Sequence, residues 1–505
     1  MLTVIDGAKH DWGEMPLDEM AVGNAMDCDF TLRSWHILRK EMQKKGLNHV
    51  YDNLLSDIAV ILSEVEFGGI EIDTDYLEIL EEKLRVELGN LGTELQELSP
   101  IDEINPDSND HLANVMFSDE GFGMKAKEFT AKTKKPSVTE AHLNDIYENT
   151  SNDDARKFIK TLLRYKSTGK LYRTYVRGVE SAIEYNGESR IYSNYNFATT
   201  VTGRLSCSMY SAGPAKAKGV SFHTLPRTVD DTVNIRKLMK STGDRAFIAA
   251  DFSQAELRML AQCCKDPNLI QAFTSGKDLH KFTASLIYDK PEEEVTKAER
   301  QIAKSVSFLI VYGGGPFKLS KQIGKSMGYC KNIFHEYQQA FPNVFQWING
   351  VHAFIRRNKY AVSLFGRRRH LSNIGSPIKK YQYRALRQGM NFVIQSSASD
   401  MLLHGIKRLD NAIEVAGYDA QILATVHDSV EIQCATSQVE EVAKTVKREL
   451  TNTKDFKQYY NLDFCVPFEV DVEVGKSFGD VMLAEFSDDG SFLNIKEIDN
   501  YVKNL

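Results

Sequence analysis

At 505 residues the chain exceeds what one hydrophobic core ordinarily organises, so two or more lobes are expected. Hydrophobic residues at 42% and charged residues at 26% exclude a fibrous or disordered class, and no apolar run reaches the roughly 18 residues of a membrane-spanning helix. The formal charge of −7 gives no global nucleic-acid signal, although a local basic groove can sit inside an acidic average.

The opening "MLTVIDGAKHDWGE" lacks the basic and apolar regions of a signal peptide, which keeps the chain in the compartment where it is made. Residues 76–98 place leucines at 77, 80, 84, 88, 91, 95 and 98, an apolar stripe that predicts one long helix. Gly89 and Gly92 interrupt it, so an intramolecular helix pair with residues 154–183 is expected over a coiled coil. Between them lies a Pro, Asn, Asp and Ser-rich link with Lys125, Lys127, Lys132, Lys134 and Lys135 near its end. From about residue 190 the pattern turns to short strands and helices, then to a helical block over about 263–374 and a strand pair around 419–434. The last segment, from 485, is acidic at its start and reads as a partly ordered tail. Seven scattered cysteines show neither metal-ligand spacing nor a disulfide framework.

Three stretches carry chemistry. "RAFIAADFSQAELRML" is an apolar strand ending at Asp251, followed by a helical segment in which Ser253 and Glu256 have capping-box spacing. "RQIAKSVSFLIVYGGG" spaces Arg300, Lys304, Phe308 and Tyr312 by four, one stripe of two cations and two aromatics with no acid in it. Such a stripe suits a ligand anionic at one end and flat at the other, as a nucleoside triphosphate is. "TVHDSVEI" puts Asp428 in the alternating row of Ile422, Ala424, Val426, Val430 and Ile432, a position that asks for a cation or for a turn that lifts the carboxylate into solvent. No phosphate-binding loop competes, because "IGKS" at 323–326 has Leu319 where the earlier glycine belongs. Asp251 and Asp428, each read on a strand, are natural ligands for two Mg²⁺ ions roughly 3.5 to 4 Å apart.

Together "DFSQAELRML", "RQIAKSVSFLIVYG" and "VHDS" resemble the three signature motifs of family A DNA polymerases, with further likeness in "TVTGRLSC", "GKDLHKFTA", "LFGRRR" and "RQGMNFVIQSSASD". The likeness runs in order from about residue 20 to 480. It implies an α+β right-hand architecture: an antiparallel palm sheet with helical fingers and thumb. By that resemblance, residues 1–50 are a remnant of a 3′–5′ exonuclease domain, 51–75 a palm–thumb junction, 76–185 the thumb, 186–262 the first part of the palm, 263–374 the fingers, 375–480 the rest of the palm and 481–505 a tail.

The implied activity is template-directed 5′–3′ DNA synthesis from dNTPs. Asp251 and Asp428 would hold two Mg²⁺, with Mn²⁺ as a substitute, and Lys304 would serve catalysis. Arg300, Lys304, Phe308, Tyr312, His280, Gln254 and Glu256 would bind the dNTP, Glu256 as the steric gate against a 2′-hydroxyl. Arg204, Arg387, Asn391, Gln395 and His427 would contact primer-template DNA. The implied location is cytoplasmic, the host cytoplasm for a viral member. A single-subunit RNA polymerase shares the two Asp and a basic helix; Glu256 and Phe308 argue against it.

Three departures qualify the match. Ser429 stands where the family has a carboxylate, so only the Asp pair is counted on. "SFHT" at 221–224 replaces the usual Asn-Leu-Gln-Asn. "NAMDCDFTL" at 24–32 looks like the last exonuclease motif with Asp27 as its metal ligand, yet Gly23 replaces the usual Tyr and the upstream Asp-x-Glu strand is missing. The expectation is a chain without proofreading of its own, completed by a separate exonuclease polypeptide.

Overall fold

The computed structural model describes residues 16–130, 133–209, 220–226, 233–487 and 490–504. Lys132 of the lysine cluster and the residues on which the signal-peptide reading rests lie outside them.

The described chain opens with helix α1, Leu17–Lys45, closed by Gly46 at φ 63°, and none of its residues is buried. It is held near its C-terminal end, where Trp35 lies 5.3 Å from the Tyr51 ring and Arg39 makes a bidentate pair with Asp52 at 2.7 Å. No strand precedes β1, Ile70–Ile72, among the described residues. Helix α2, Thr74–Leu98, matches the leucine stripe closely: Asp73 caps it by accepting from the Tyr76 amide, and Leu77, Leu80, Leu84, Leu91 and Leu95 are buried.

Its expected partner is α3, Asp153–Lys170, which runs through a π-helical turn, Leu171–Val176, into α4, Arg177–Asn186. Thr161 and Arg164 of α3 donate to Glu94 and Glu87 of α2, each at 2.9 Å. Of the link lysines, Lys127 and Lys135 are engaged by Asp145 and Asp110, both at 2.7 Å.

Then follow β2 (Arg190–Ile191), β3 (Met239–Lys240), β4 (Arg245–Phe252), α5 (Ala255–Cys264), α6 (Leu279–Tyr288), α7 (Lys297–Val311), α8 (Pro342–Asn358), α9 (Lys379–Ala416), β5 (Ala420–Val426), β6 (Ser429–Ala435), β7 (Val470–Ser477), β8 (Asp480–Leu483) and α10 (Ile495–Asn504). The tail is more ordered than its acidic start predicts. In α10, Ile498 and Val502 are buried one turn apart, and the helix packs on β7.

The chain forms two compact units. One comprises Ile61–Ala255, Arg408–Asn452 and Phe468–Leu505. It holds the α2–α3 pair and an antiparallel sheet in the order β2-β1-β3-β7-β4-β6-β5, with β8 on β7. The other comprises Met1–Val60, Glu256–Lys407 and Thr453–Pro467 and is mainly helical, with Ile355, Leu371, Leu386 and Phe392 in its core. His49 is tied into this unit through the Phe365 carbonyl at 3.1 Å. An antiparallel sheet with segregated helices is the α+β class that the motifs imply.

Candidate active site

Strand β4 is central, flanked by β7 and β6, so both of its edges are paired and Ala246 through Ala250 are buried. That apolar run breaks at Asp251, which is exposed near the strand's end. Strand β6 pairs with β4 so that Ser429 opposes Asp251, and the Phe252 amide donates to the Asp428 carbonyl at 3.2 Å. The ladder thus brings the two aspartates together.

Asp428 is not in a strand row. It forms, with His427, the two-residue turn between β5 and β6, where His427 takes φ 59°. A hairpin this short needs a left-handed residue, usually Gly or Asn, and here a histidine adopts that conformation. The turn lifts Asp428 out of the row of Ile422, Ala424 and Val426 and leaves its side chain 33% exposed. Both answers that the sequence left open are realised, the turn here and a cation in Arg204.

Arg204 supplies a counter-charge, its Nη2 donating to the two Asp428 oxygens at 3.2 and 3.4 Å. Beside it the His427 ring lies 5.0 Å from His223, whose Nε2 is 3.0 Å from the Thr425 carbonyl. Burial first, then the neighbouring His427, lowers the His223 pKa to about 4, so that ring is neutral at physiological pH. The divergent "SFHT" loop therefore buttresses the turn.

Ser429 points the same way as Asp251, and so, two residues on, does Glu431 opposite Ala249. Ser429 Oγ lies 2.6 Å from Glu431 Oε1 and 3.0 Å from the Val426 carbonyl, yet it has one proton. Burial, reinforced by the Asp251 charge, pushes the Glu431 carboxyl up to about 8. Glu431 was not among the residues singled out from the sequence, although period-two alternation from Ser429 points to it.

In the helical unit, α7 starts at a capping box between Thr296 and Glu299. Its stripe is realised with Arg300 and Lys304 near one end, Phe308 partly buried, and Tyr312 exposed at the C-cap. The stripe has an acid after all, contributed from elsewhere in the sequence. Asp278, the N-cap of α6, accepts from Arg300 Nε and Nη2 at 2.9 and 2.8 Å. Lys304 makes no ion pair among the described residues and is exposed. His280 is buried with its ring 6.0 Å from Phe308, and burial lowers its pKa to about 4, the Arg300 and Lys304 charges acting in the same sense. At the far end, a Cβ on Gly313 (φ +64°) would come within 2.9 Å of Arg387 Cγ, so Arg387 lies against the backbone that follows Tyr312.

The DNA polymerase family A model matches residues 74–480, most of the chain. The chain belongs to DNA polymerase family A. Among relatives of this family it is 28% identical to DNA polymerase I of Borreliella burgdorferi over 92% of this chain and 48% of that one. It is 29% identical to thermostable DNA polymerase I of Thermus aquaticus over 85% and 48%, and 27% identical to the DNA polymerase of Bacillus phage SP01 over 97% and 58%. The chain thus spans about half the length of these curated relatives. Among solved structures, the POL domain of Pol1 from M. smegmatis, in complex with DNA primer-template and dNTP, matches with a TM-score of 0.76 and 26% identity over 88% of this chain and 73% of that one.

Family A membership implies divalent metal ions, and the donor chemistry fits. Asp251 and Asp428 offer hard carboxylate oxygens to solvent at adjacent backbone positions, the ligand type that Mg²⁺ takes. No third His, Cys, Asp or Glu completes a metal-holding group with them among the described residues.

The other residues singled out in the sequence differ in setting. Gln254 adopts φ 55° at the turn after β4, and its Oε1 is buried without a partner. Glu256 is buried and accepts from Gln395 Nε2 at 3.2 Å, so Gln395, read as a DNA contact, here faces the residue read as the steric gate. Asn391 has a buried, unpartnered Oδ1, while Arg387 and His427 are exposed.

Proposed function

We propose that this chain extends a primer 3′-hydroxyl on a DNA template, taking nucleotides from dNTPs, with two Mg²⁺ ions held by Asp251 and Asp428. The observation that carries the reading is the β4–β6 register, which joins two carboxylates from distant sequence in one exposed pair. When bound, the ions supply Lewis-acid activation of the attacking hydroxyl and neutralise charge on the phosphates. Lys304, exposed and free of a protein ion pair among the described residues, meets the triphosphate where charge builds up. Arg300 grips the same group but is oriented by Asp278. Phe308 lies against the sugar, backed by neutral His280, and Tyr312 takes the base end. Glu256, fixed by Gln395, excludes a 2′-hydroxyl, and Gln254 contacts the incoming nucleotide. Arg204, Arg387, Asn391 and His427 contact the primer-template.

Primer extension on a recessed template tests this. The chain with dNTPs and Mg²⁺ is expected to extend the primer, and Asp251→Asn or Asp428→Asn to lower the rate by at least roughly 1,000-fold with duplex binding kept. Full extension by either variant would sink the reading.

Proofreading is a separate matter. Asp27 lies on α1, where none of the residues is buried, and one carboxylate is too few for a two-metal exonuclease. We infer that these 505 residues on their own do not shorten a mismatched primer. Asp27-dependent digestion of a 3′-mismatched primer by the purified chain would refute this.

A further inference from the structure

Strand β6 carries a carboxyl that neither the metal pair nor the nucleotide contacts employ. Glu431 is 1% exposed; its Oε1 meets Ser429, and its Oε2 is buried with no hydrogen-bond partner. A carboxyl, charged or neutral, can accept more than one hydrogen bond, so acceptor capacity is left over beside the site. An apolar side chain in the same strand position would carry no such cost, and a buried polar atom left over in this way asks for an explanation.

The strand register places Glu431 directly behind the aspartates. Ser429 and Asp471 stand opposite Asp251 from either side of β4, so the three share one face and one row. In the next row of that face, Glu431 and Glu473 flank Ala249. Asp251 and Glu431 are thus diagonal neighbours, with Cα atoms roughly 7 to 8 Å apart, a span that a glutamate side chain can bridge. Among the described residues no three acids, histidines or cysteines come close enough to ligate one ion, so Glu431 stands outside direct coordination.

Its surroundings are short of positive charge. Burial raises the Glu431 carboxyl, and the Asp251 and Glu473 charges act in the same sense. Arg236 acts against them, but its guanidinium already donates to the Pro226 and Leu225 carbonyls at 3.2 and 3.5 Å. Mg²⁺ gives up its water reluctantly, so two aspartates leave a hydrated ion whose waters need acceptors. Ser429, which replaces the family's acid, has its hydroxyl engaged by Glu431 and the Val426 carbonyl.

We propose that Glu431 is a positioning residue of the metal site, its second oxygen accepting from water in the hydration shell of the ion at Asp251 and Asp428. It thereby takes over from the acid missing at Ser429. The proposal rests on the metal reading above and adds to it a residue that touches neither the ion nor the nucleotide.

The test uses the full chain on a primer-template whose primer ends in a dideoxynucleotide, so that no bond forms, and reads Mn²⁺ binding by electron paramagnetic resonance. Glu431→Gln keeps the side chain's shape, and Glu431→Leu removes every acceptor. Both are expected to weaken Mn²⁺ binding, the leucine variant by about tenfold, as loss of a group behind a metal ligand commonly does. In primer extension the Mg²⁺ concentration for half-maximal rate should rise by a similar factor, with kcat at saturating Mg²⁺ kept within about threefold, a split that a packing role would not produce. Urea midpoints without metal report on folding. Unchanged Mn²⁺ affinity in a folded leucine variant would overturn the proposal, as would a fall in kcat with no shift in Mg²⁺ dependence. Should the leucine variant not fold, unchanged affinity in the glutamine variant is equally decisive. Asp428→Asn in the same Mn²⁺ assay separates the two readings: unaltered binding there would sink the metal pair itself, whereas unaltered binding confined to the Glu431 variants would sink only the role given to Glu431.

Discussion

Arg204 is the counter-ion of Asp428, one guanidinium nitrogen donating to both carboxylate oxygens at 3.2 and 3.4 Å. A divalent cation drawn to Asp428 would compete with that pair or share the carboxylate with it. Arg204→Ala is therefore expected to raise the melting temperature gained on adding MgCl₂ relative to wild type. Equal gains, read by thermal shift with no nucleotide or DNA present, would mean that Arg204 does not compete with the metal.

Lys304 offers a cleaner charge than Arg300, which Asp278 already holds. Lys304→Ala should lower kcat/KM for dNTP by about 100- to 1,000-fold and leave the Kd for primer-template within about twofold. A change confined to DNA affinity would move the residue out of the triphosphate site.

Glu256 is buried against Gln395, so its truncation has two consequences. Glu256→Ala strands the Gln395 amide and should cost about 1 to 3 kcal/mol in urea unfolding. It should also admit ribonucleotides in extension assays. Loss of stability with unchanged sugar selection would leave Glu256 a purely structural role.

Asp400 is fully buried on α9 and accepts from Arg367 Nε at 2.6 Å. Burial outweighs that guanidinium and raises the carboxyl from the ordinary 3.8 to about 6. Between those values the folded state keeps a proton that the unfolded chain has lost, so the group's contribution to stability falls as pH rises through the window and is flat above it. The wild type should lose more stability than Asp400→Asn between pH 4.5 and 7, measured by urea midpoints. Parallel curves would refute the shift.

Local regularities were legible in the sequence. The leucine stripe gave α2 almost to the residue, and the spacing of Arg300, Lys304, Phe308 and Tyr312 gave the face of α7. What escaped depended on backbone choices or on partners far along the chain. Alternation through 420–432 hid the break at His427, because nothing in a histidine announces a left-handed turn. The Arg300–Asp278 pair spans 22 residues and crosses from one helix to another, beyond any spacing rule. Glu431 was visible as a position but not as a neighbour of Asp251 until the register of β4 and β6 was known. The acidic start of the tail masked the apolar pair, Ile498 and Val502, that anchors α10.

The central position of β4 also sets a timetable for biosynthesis. Counting from Asp251, its ladder partners Ser429 and Asp471 are made 178 and 220 residues later. Until then a run of buried-type side chains, Ala246 to Ala250, has neither edge occupied, an adhesive strand on the ribosome that invites chaperones or misassociation. Such long-range closure is slow, and a prematurely released fragment ending before β6 would be inert whatever motifs it contained.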